Sequence, residues 1–334
     1  MTEDRKIALV LGATGGIGGS VARNLAGRGW HIRALNRDAA KASRSQPAFE
    51  WVQGDAMNAA DVAAAADGAS VIVHGVNPPG YRDWEKLVLP MLGNTITAAR
   101  AVGARIVLPG TVYNFGPDAF PILREDSPQN PVTRKGAIRA EMERRLKRAA
   151  SEGTGVIIVR AGDFFGPGAT GNSWFSQIVA PGKPVKTLKN PSPKGIGHQW
   201  AYLPDVAETM AELIERASSL PDFAVYHMDG FWDRDGRQMA EAIRRVSGGR
   251  AKIGAFPWWI VPLAAPFVTV MREVKEMRYL WKEPIRMSNE KLVAELGREP
   301  QTPVDDAVRA SLMALGCLPK PAGLLSGSRA AVLR

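Results

Sequence analysis

"IALVLGATGGIGGSVARNLAGRG", residues 7–29, decides the fold. It begins with an unbroken apolar run, 7–12, the pattern of a strand buried on both faces. Residues 17–29 follow with helical spacing and stop at Gly29. Between the two, Gly12, Gly15 and Gly18 stand at GxxGxxG spacing. Glycines in that place permit a tight turn and let backbone N–H groups approach a pyrophosphate at the helix N-terminus. A strand, a glycine turn and a helix in that order predict the first βα unit of a dinucleotide-binding fold. A plain structural turn is the alternative.

The same rhythm continues outward. Strand patterns recur at 31–37, 49–55, 70–76, 104–110 and 155–163. They alternate with helix patterns around 59–66, 84–103 (bent at Pro90 or Gly93) and 134–150. This alternation predicts an α/β fold, a doubly wound parallel sheet of Rossmann type with helices on both faces. After residue 163 the rhythm breaks. Residues 164–200 read as loop-rich, with Pro167, Pro181, Pro184, Pro191 and Pro193. A strand or turn plus helix (200–217), a strand (223–230) and a helix (237–248) come next, then helices interrupted by prolines to about 316. The expected division is a nucleotide-binding domain over 1–163, rejoined by about 200–230. A smaller substrate-capping region takes 164–199 and 231–318, and 319–334 form a loose tail.

Composition narrows the function classes. The 334 residues are 45% hydrophobic and 23% charged, enough to bury a sizeable core. Lys plus Arg number 43 against 33 Asp plus Glu, a net charge of +10. The cations are scattered, which favours a phosphate-rich cofactor over nucleic acid, and no nucleic-acid partner is expected. Cys317 is the single cysteine, suited to a reducing compartment. The N-terminus leads straight into a strand without a signal pattern, and the apolar run 255–271 is too short and proline-rich for a membrane span. A cytoplasmic protein is expected, with a homodimer left open. His74, His198 and His227 lack metal-ligand spacing, so no metal is expected. The aromatic segment 256–281 reads as core of the capping region, with membrane-surface contact or a dimer face as lesser readings.

The end of the second strand bears on the cofactor. "LNRD" places Asn36 and Arg37 where a ribose-reading carboxylate usually stands, with Asp38 later. Arg37 suits a 2′-phosphate, so NADP(H) is favoured over NAD(H). The alternative leaves Arg37 in solvent and gives the ribose to Asp38. Asp55, after the third strand, is a candidate for the adenine or an ordinary turn residue.

These residues resemble the short-chain dehydrogenase/reductase superfamily over about 5–315. "GATGGIG" (12–18) is similar to its glycine motif, "QGD" (53–55) to its adenine-side motif, and "GTVYNFG" (110–116) to the segment after its fifth strand. "VRAGDFFGPG" (159–168) and "YLPDVAETM" (202–210) resemble late motifs of its extended epimerase and dehydratase branch. The resemblance implies a cofactor lining of Gly12, Thr14, Gly15, Gly16, Ile17 and Gly18 in the first turn. Asn36 and Arg37 follow the second strand, Asp55 and Ala56 the third, and Gly75, Val76 and Asn77 the fourth. Extended members carry Tyr-x-x-x-Lys on the helix after the fifth strand. Here "RKGAIRAEMERRL" puts Lys135 at the tyrosine and Arg139 at the lysine, and the usual serine falls on Pro109. Lys-x-x-x-Arg resembles instead the atypical, isoflavone-reductase-like members, which favour NADPH.

A helical wheel places Ile138, Met142, Leu146 and Ala149 on one apolar stripe, with Lys135 inside it and Arg139 at its edge. Arg134, Arg144, Arg145, Lys147 and Arg148 read as a solvated face, with Glu141–Arg145 and Glu143–Lys147 pairs at i,i+4. Lys135 is then the candidate proton donor, with the alternative of a lysine that snorkels to water. Nothing nearby in sequence pairs with it. Lys135 and Arg139 are also expected to touch the cofactor, and Thr111 and Tyr113 are candidates to bind a substrate oxygen. The expected activity is hydride transfer between NADP(H) and a small carbonyl or conjugated substrate. An epimerase or dehydratase acting on a sugar, or a non-catalytic NADP(H) sensor, are the alternatives.

Overall fold

In the computed structural model, described over residues 6–78, 83–169 and 173–319, the apolar runs become the strands of one parallel sheet. β1 (Ile7–Leu11), β2 (His31–Asn36), β3 (Glu50–Gln53), β4 (Val71–His74) and β5 (Arg105–Gly110) are joined by the strands Val156–Arg160 and Phe223–His227. In space the order runs Phe223–His227, Val156–Arg160, β5, β4, β1, β2, β3. All neighbours are parallel, and the winding reverses between β1 and β4. Ligands in such sheets bind at this switch point, beyond the carboxyl ends of the strands.

Alternation along the strands explains the three layers. Ala8 and Val10 of β1 face one core with Val21 and Leu25 of helix α1 (Gly16–Gly27) and Met210 of helix Leu203–Glu215. Leu9 and Leu11 face the other core. That core also holds α3 (Ala59–Ala66) and α4 (Trp84–Val102), and Met142 and Leu146 of α5 (Arg134–Ser151). Fully burying a side chain of that size stabilises by about 1.5–3 kcal/mol. α2 (Ala39–Ser45) is short and starts on the side chain of Asp38, which accepts from the Lys41 N–H at 3.0 Å. α4 runs as one helix with Pro90 inside it.

Residues 164–202 hold more regular structure than the loop-rich reading allowed. Strands Asp163–Phe165, Thr187–Asn190 and His198–Tyr202 and a helix Trp174–Ile178 lie there. Each is only three to five residues long, too short to print a period in sequence. The strand His198–Tyr202 pairs with Asp163–Phe165 and Phe231–Asp233, and Thr187–Asn190 pairs with Lys252–Ala255. Phe165, Phe175, Trp200, Ile243, Trp281 and Leu312 share a third core. A fourth, smaller cluster joins Phe115, just after β5, to Met277, Leu280 and Met287. It draws the segment around 277–287 over the carboxyl end of the sheet. The aromatic stretch 256–281 divides accordingly: Trp281 is buried, whereas Trp259 is exposed. Apart from residue 319, the tail 319–334 lies outside the described residues.

His74, His198 and His227 are buried and partnered. His74 Nδ1 meets the Thr95 hydroxyl at 2.8 Å, and His198 Nε2 meets Asp163 at 2.7 Å while its ring stacks on Trp281. Burial, and then the Arg139 charge, lower the His74 pKa to about 3. Burial, then Arg160, do the same for His227, also to about 3. No cluster that could hold a metal occurs among the described residues.

Candidate active site

The glycine turn sits between β1 and α1 at the carboxyl edge of the sheet. Gly12 has φ +89°, and a Cβ there would lie 2.6 Å from the Gly75 carbonyl oxygen at the end of β4. A Cβ on Gly18 would lie 2.4 Å from the Gly12 oxygen. The three backbones are thus in contact, and only glycine fits. Gly15 is the N-cap of α1, whose first turn carries no acidic residue and no side-chain cap. Gly16 approaches the Gly168 carbonyl so closely that a Cβ would fall 2.3 Å from it. A tight glycine turn of this kind, at a helix N-terminus with no acidic residue in its first turn, suits a dinucleotide diphosphate. Thr14 is exposed on the loop, and Ile17 packs against the core.

Asn36 ends β2, with its amide 3.5 Å from the Thr14 hydroxyl and its side-chain oxygen accepting from the Asp38 N–H at 2.8 Å. Arg37 is exposed beside this turn, and Gln53 donates to the Arg37 carbonyl at 2.6 Å. Asp38 caps α2 with one of its carboxylate oxygens. Asp55 accepts from the Met57 N–H at 2.9 Å, a turn geometry, while its own N–H donates to Asp61. Ala56 is buried and its carbonyl accepts from Asn94. Val76 packs partly into the core and Asn77 is exposed.

The helix α5 comes to the same edge. Thr133 caps it by accepting from the Gly136 N–H at 3.0 Å. Gly136 lets it press on the segment after β5, since a Cβ there would meet the Tyr113 carbonyl oxygen at 2.3 Å. Thr111 accepts from the Tyr113 N–H at 2.9 Å and starts the short helical turn Val112–Asn114. Lys135 is 4% exposed and does not snorkel to water.

Lys135 has a partner that its sequence neighbourhood does not show. The Glu276 carboxylate lies 3.9 Å from its Nζ and accepts from its backbone N–H at 3.3 Å. Glu276 closes the helix Thr269–Glu276 of the overlying segment. Its charge, after burial, pushes the Tyr279 phenol up, and the Tyr279 hydroxyl donates to the Phe115 carbonyl at 3.3 Å. Glu276 was missed because a contact across 141 positions leaves no local signature.

Arg139 lies at the sheet edge, donating to the Pro109 carbonyl at 3.4 Å with its guanidinium 5.2 Å from the Trp84 ring. The solvated face of α5 is as expected, with Arg134, Arg144, Lys147 and Arg148 exposed and Arg145 on Glu141 at 2.7 Å. Glu143 departs from expectation. It turns inward, away from Lys147, to pair with Arg160, and Gln129 donates to it at 2.8 Å. Arg160 is 1% exposed, and no surface lysine competes with a guanidinium fixed in the adjacent strand.

Comparison with known proteins bears on the domain and the fold. A family model described as NAD(P)H-binding matches residues 12–175. The 3-diazoavenalumate denitrifying reductase of a Streptomyces species is 32% identical over 176 residues, 48% of this chain and 57% of that protein. The match thus spans little more than half of that relative's length. The UDP-glucuronic acid 4-epimerase of Bacillus cereus, solved with NAD, superposes with a TM-score of 0.72 at 15% identity, over 92% of this chain and 96% of that one. The Bordetella bronchiseptica enzyme WbmH, solved with NAD+, gives 0.68 at 18% identity, over 93% and 98%. The chain therefore carries an NAD(P)-binding domain on a Rossmann sheet. The nucleotide-binding domain and the Rossmann fold expected from the sequence are thus both found.

Proposed function

We propose that the chain is an NADP(H)-dependent oxidoreductase acting on a small carbonyl or conjugated substrate, with Lys135 as the proton donor. The observation that carries this reading is the buried Lys135–Glu276 pair, held beside Thr111 and Tyr113 at the carboxyl edge of the sheet. When bound, the nicotinamide supplies or accepts a hydride. Gly12, Gly15 and Gly18 seat the diphosphate through backbone N–H groups. Thr111 or Tyr113 hydrogen-bonds the substrate oxygen. Lys135 Nζ gives that oxygen its proton, and Glu276, which touches solvent, returns a proton to the amine. The segments 164–199 and 231–318 cap the site, and Lys135, 4% exposed beneath Glu276, is kept from bulk water. The Streptomyces reductase lends the reading support from a related sequence. Steady oxidation of NADPH by an aldehyde, quinone or enone, followed by absorbance, is the test. A complete panel without turnover would contradict it.

Two variants probe the site separately. Arg37 stands exposed beside the Asn36 turn while Asp38 caps α2, so NADPH should bind more tightly than NADH. Arg37→Ala should weaken NADPH binding by roughly tenfold or more, the worth of one charge-assisted contact, and leave NADH unchanged. Titration calorimetry with both cofactors reads this without turnover, and equal affinities in the unmodified protein would refute it. Glu276→Gln keeps size and removes charge. It should lower kcat by roughly tenfold, the order of a hydrogen bond to a charged group, with the NADPH dissociation constant unchanged. An unaltered kcat would leave Glu276 with a packing role alone.

A further inference from the structure

Nine large apolar side chains stand exposed among the described residues, and five of them fall within ten positions: Trp259, Ile260, Leu263, Phe267 and Val268. Trp259 is 69% exposed, Leu263 65% and Phe267 88%. These three are spaced by four along a helix, Ile260–Ala264, that continues as helical turns, with the Val268 N–H on the Ala264 carbonyl at 2.9 Å. Residues four apart share one helix face, so the three form a single apolar ridge. A contiguous exposed ridge of this kind marks an interaction surface.

The surroundings of the ridge are cationic. The Phe256 N–H donates to Asn190 at 2.8 Å and the Trp258 indole to Pro191 at 2.8 Å, fixing the root of the ridge to the strand Thr187–Asn190. That strand and its partner Lys252–Ala255 present Lys186, Lys189, Arg250 and Lys252, all exposed, with the Lys252 N–H on the Lys186 carbonyl at 3.0 Å. No Asp or Glu occurs from 164 to 204 or from 242 to 272. Beyond the ridge the sequence interleaves Arg272, Lys275, Arg278 and Lys282 with Glu273, Glu276 and Glu283, and Glu276 is turned inward to Lys135.

We propose that this ridge and the lysine-bearing strand pair dock on an anionic lipid bilayer surface. Trp and Phe with aliphatic neighbours suit the boundary between headgroups and acyl chains, and flanking Lys and Arg suit acidic headgroups. A second copy of this chain would set like charges against each other. A nucleic acid would leave Leu263, Ile260 and Val268 without apolar cover. The inference does not depend on the catalytic reading.

Co-sedimentation with extruded vesicles tests it, using phosphatidylcholine alone and phosphatidylcholine containing about three parts in ten phosphatidylglycerol. The acidic vesicles should capture the protein at least roughly tenfold better than the neutral ones, and added salt should weaken capture. Leu263→Gln with Phe267→Gln, and separately Lys186→Glu with Lys252→Glu, should each lower capture by roughly tenfold or more. Unchanged NADPH affinity in both double variants shows that they are folded. Capture by neither vesicle, or by both equally, would overturn the proposal. So would a concentration-dependent dimer abolished by the apolar pair, or retention on single-stranded DNA, in a protein that ignores vesicles.

Discussion

Lys135→Met is expected to lower turnover about 10²–10⁴-fold, the usual span for general acid–base catalysis, while the fold and most of the NADPH affinity persist. The fold should tolerate the change for two reasons. Methionine extends the apolar stripe already formed by Ile138, Met142 and Leu146. The Glu276 carboxylate keeps its bond to the residue-135 backbone N–H, 3.3 Å in the native chain, and retains some access to water. What is lost is the ammonium proposed to give up the proton. Lys135→Arg should not rescue, because a guanidinium stays protonated near neutral pH and presents a planar fork where the site holds a compact ammonium. Single-turnover kinetics with a responsive carbonyl substrate would measure the loss directly. Normal turnover in Lys135→Met would move the proton-donating role to Tyr113 or to the substrate itself.

A second large effect is expected in stability, away from the reacting atoms. Arg160 Nε donates to Glu143 at 3.0 Å, and the same guanidinium meets the Glu125 carbonyl and His227 Nε2. Glu143→Met would strand that buried cation and should cost about 3–5 kcal/mol, the usual penalty for breaking a buried pair from one side. Removing both charges, in Glu143→Met with Arg160→Met, should recover much of the loss, because the desolvation of the ions disappears with them. Denaturant midpoints of the two variants, compared at equal cofactor concentration, separate the cases. A single variant as stable as the native chain would mean that water reaches Arg160.

The sheet was legible because its evidence is local and repeated. β1, its glycine turn and α1 follow one another within twenty-one residues, Ile7–Gly27, and each later strand prints its own apolar run. The position of Lys135 was legible for the same reason, since Ile138, Met142 and Leu146 mark the buried face of α5. Its partner was not. Glu276 ends a helix in the overlying segment, and the packing of Met277 and Leu280 on Phe115, with the Tyr279 hydroxyl on the Phe115 carbonyl, brings it over the sheet. Glu143 misled for a related reason. A helical wheel offers Lys147 as the neighbour, yet a carboxylate on the buried side of α5 needs a buried cation, and Arg160 stands in the next strand. Arg139 shows the same limit, since its helix position does not reveal that Pro109 and Trp84 hold the guanidinium.

The central claim is net hydride transfer out of NADPH at the Lys135 edge, and the most direct measurement is the fate of a label. NADPH carrying deuterium at nicotinamide C4 would be turned over with the best carbonyl substrate, and the product examined by mass spectrometry and NMR. The proposed reductase predicts one deuterium per product molecule, on the former carbonyl carbon, with an equal amount of NADP+ formed. Product formed with no net NADP+, the label returning to the cofactor, would contradict it and assign the site to epimerase or dehydratase chemistry.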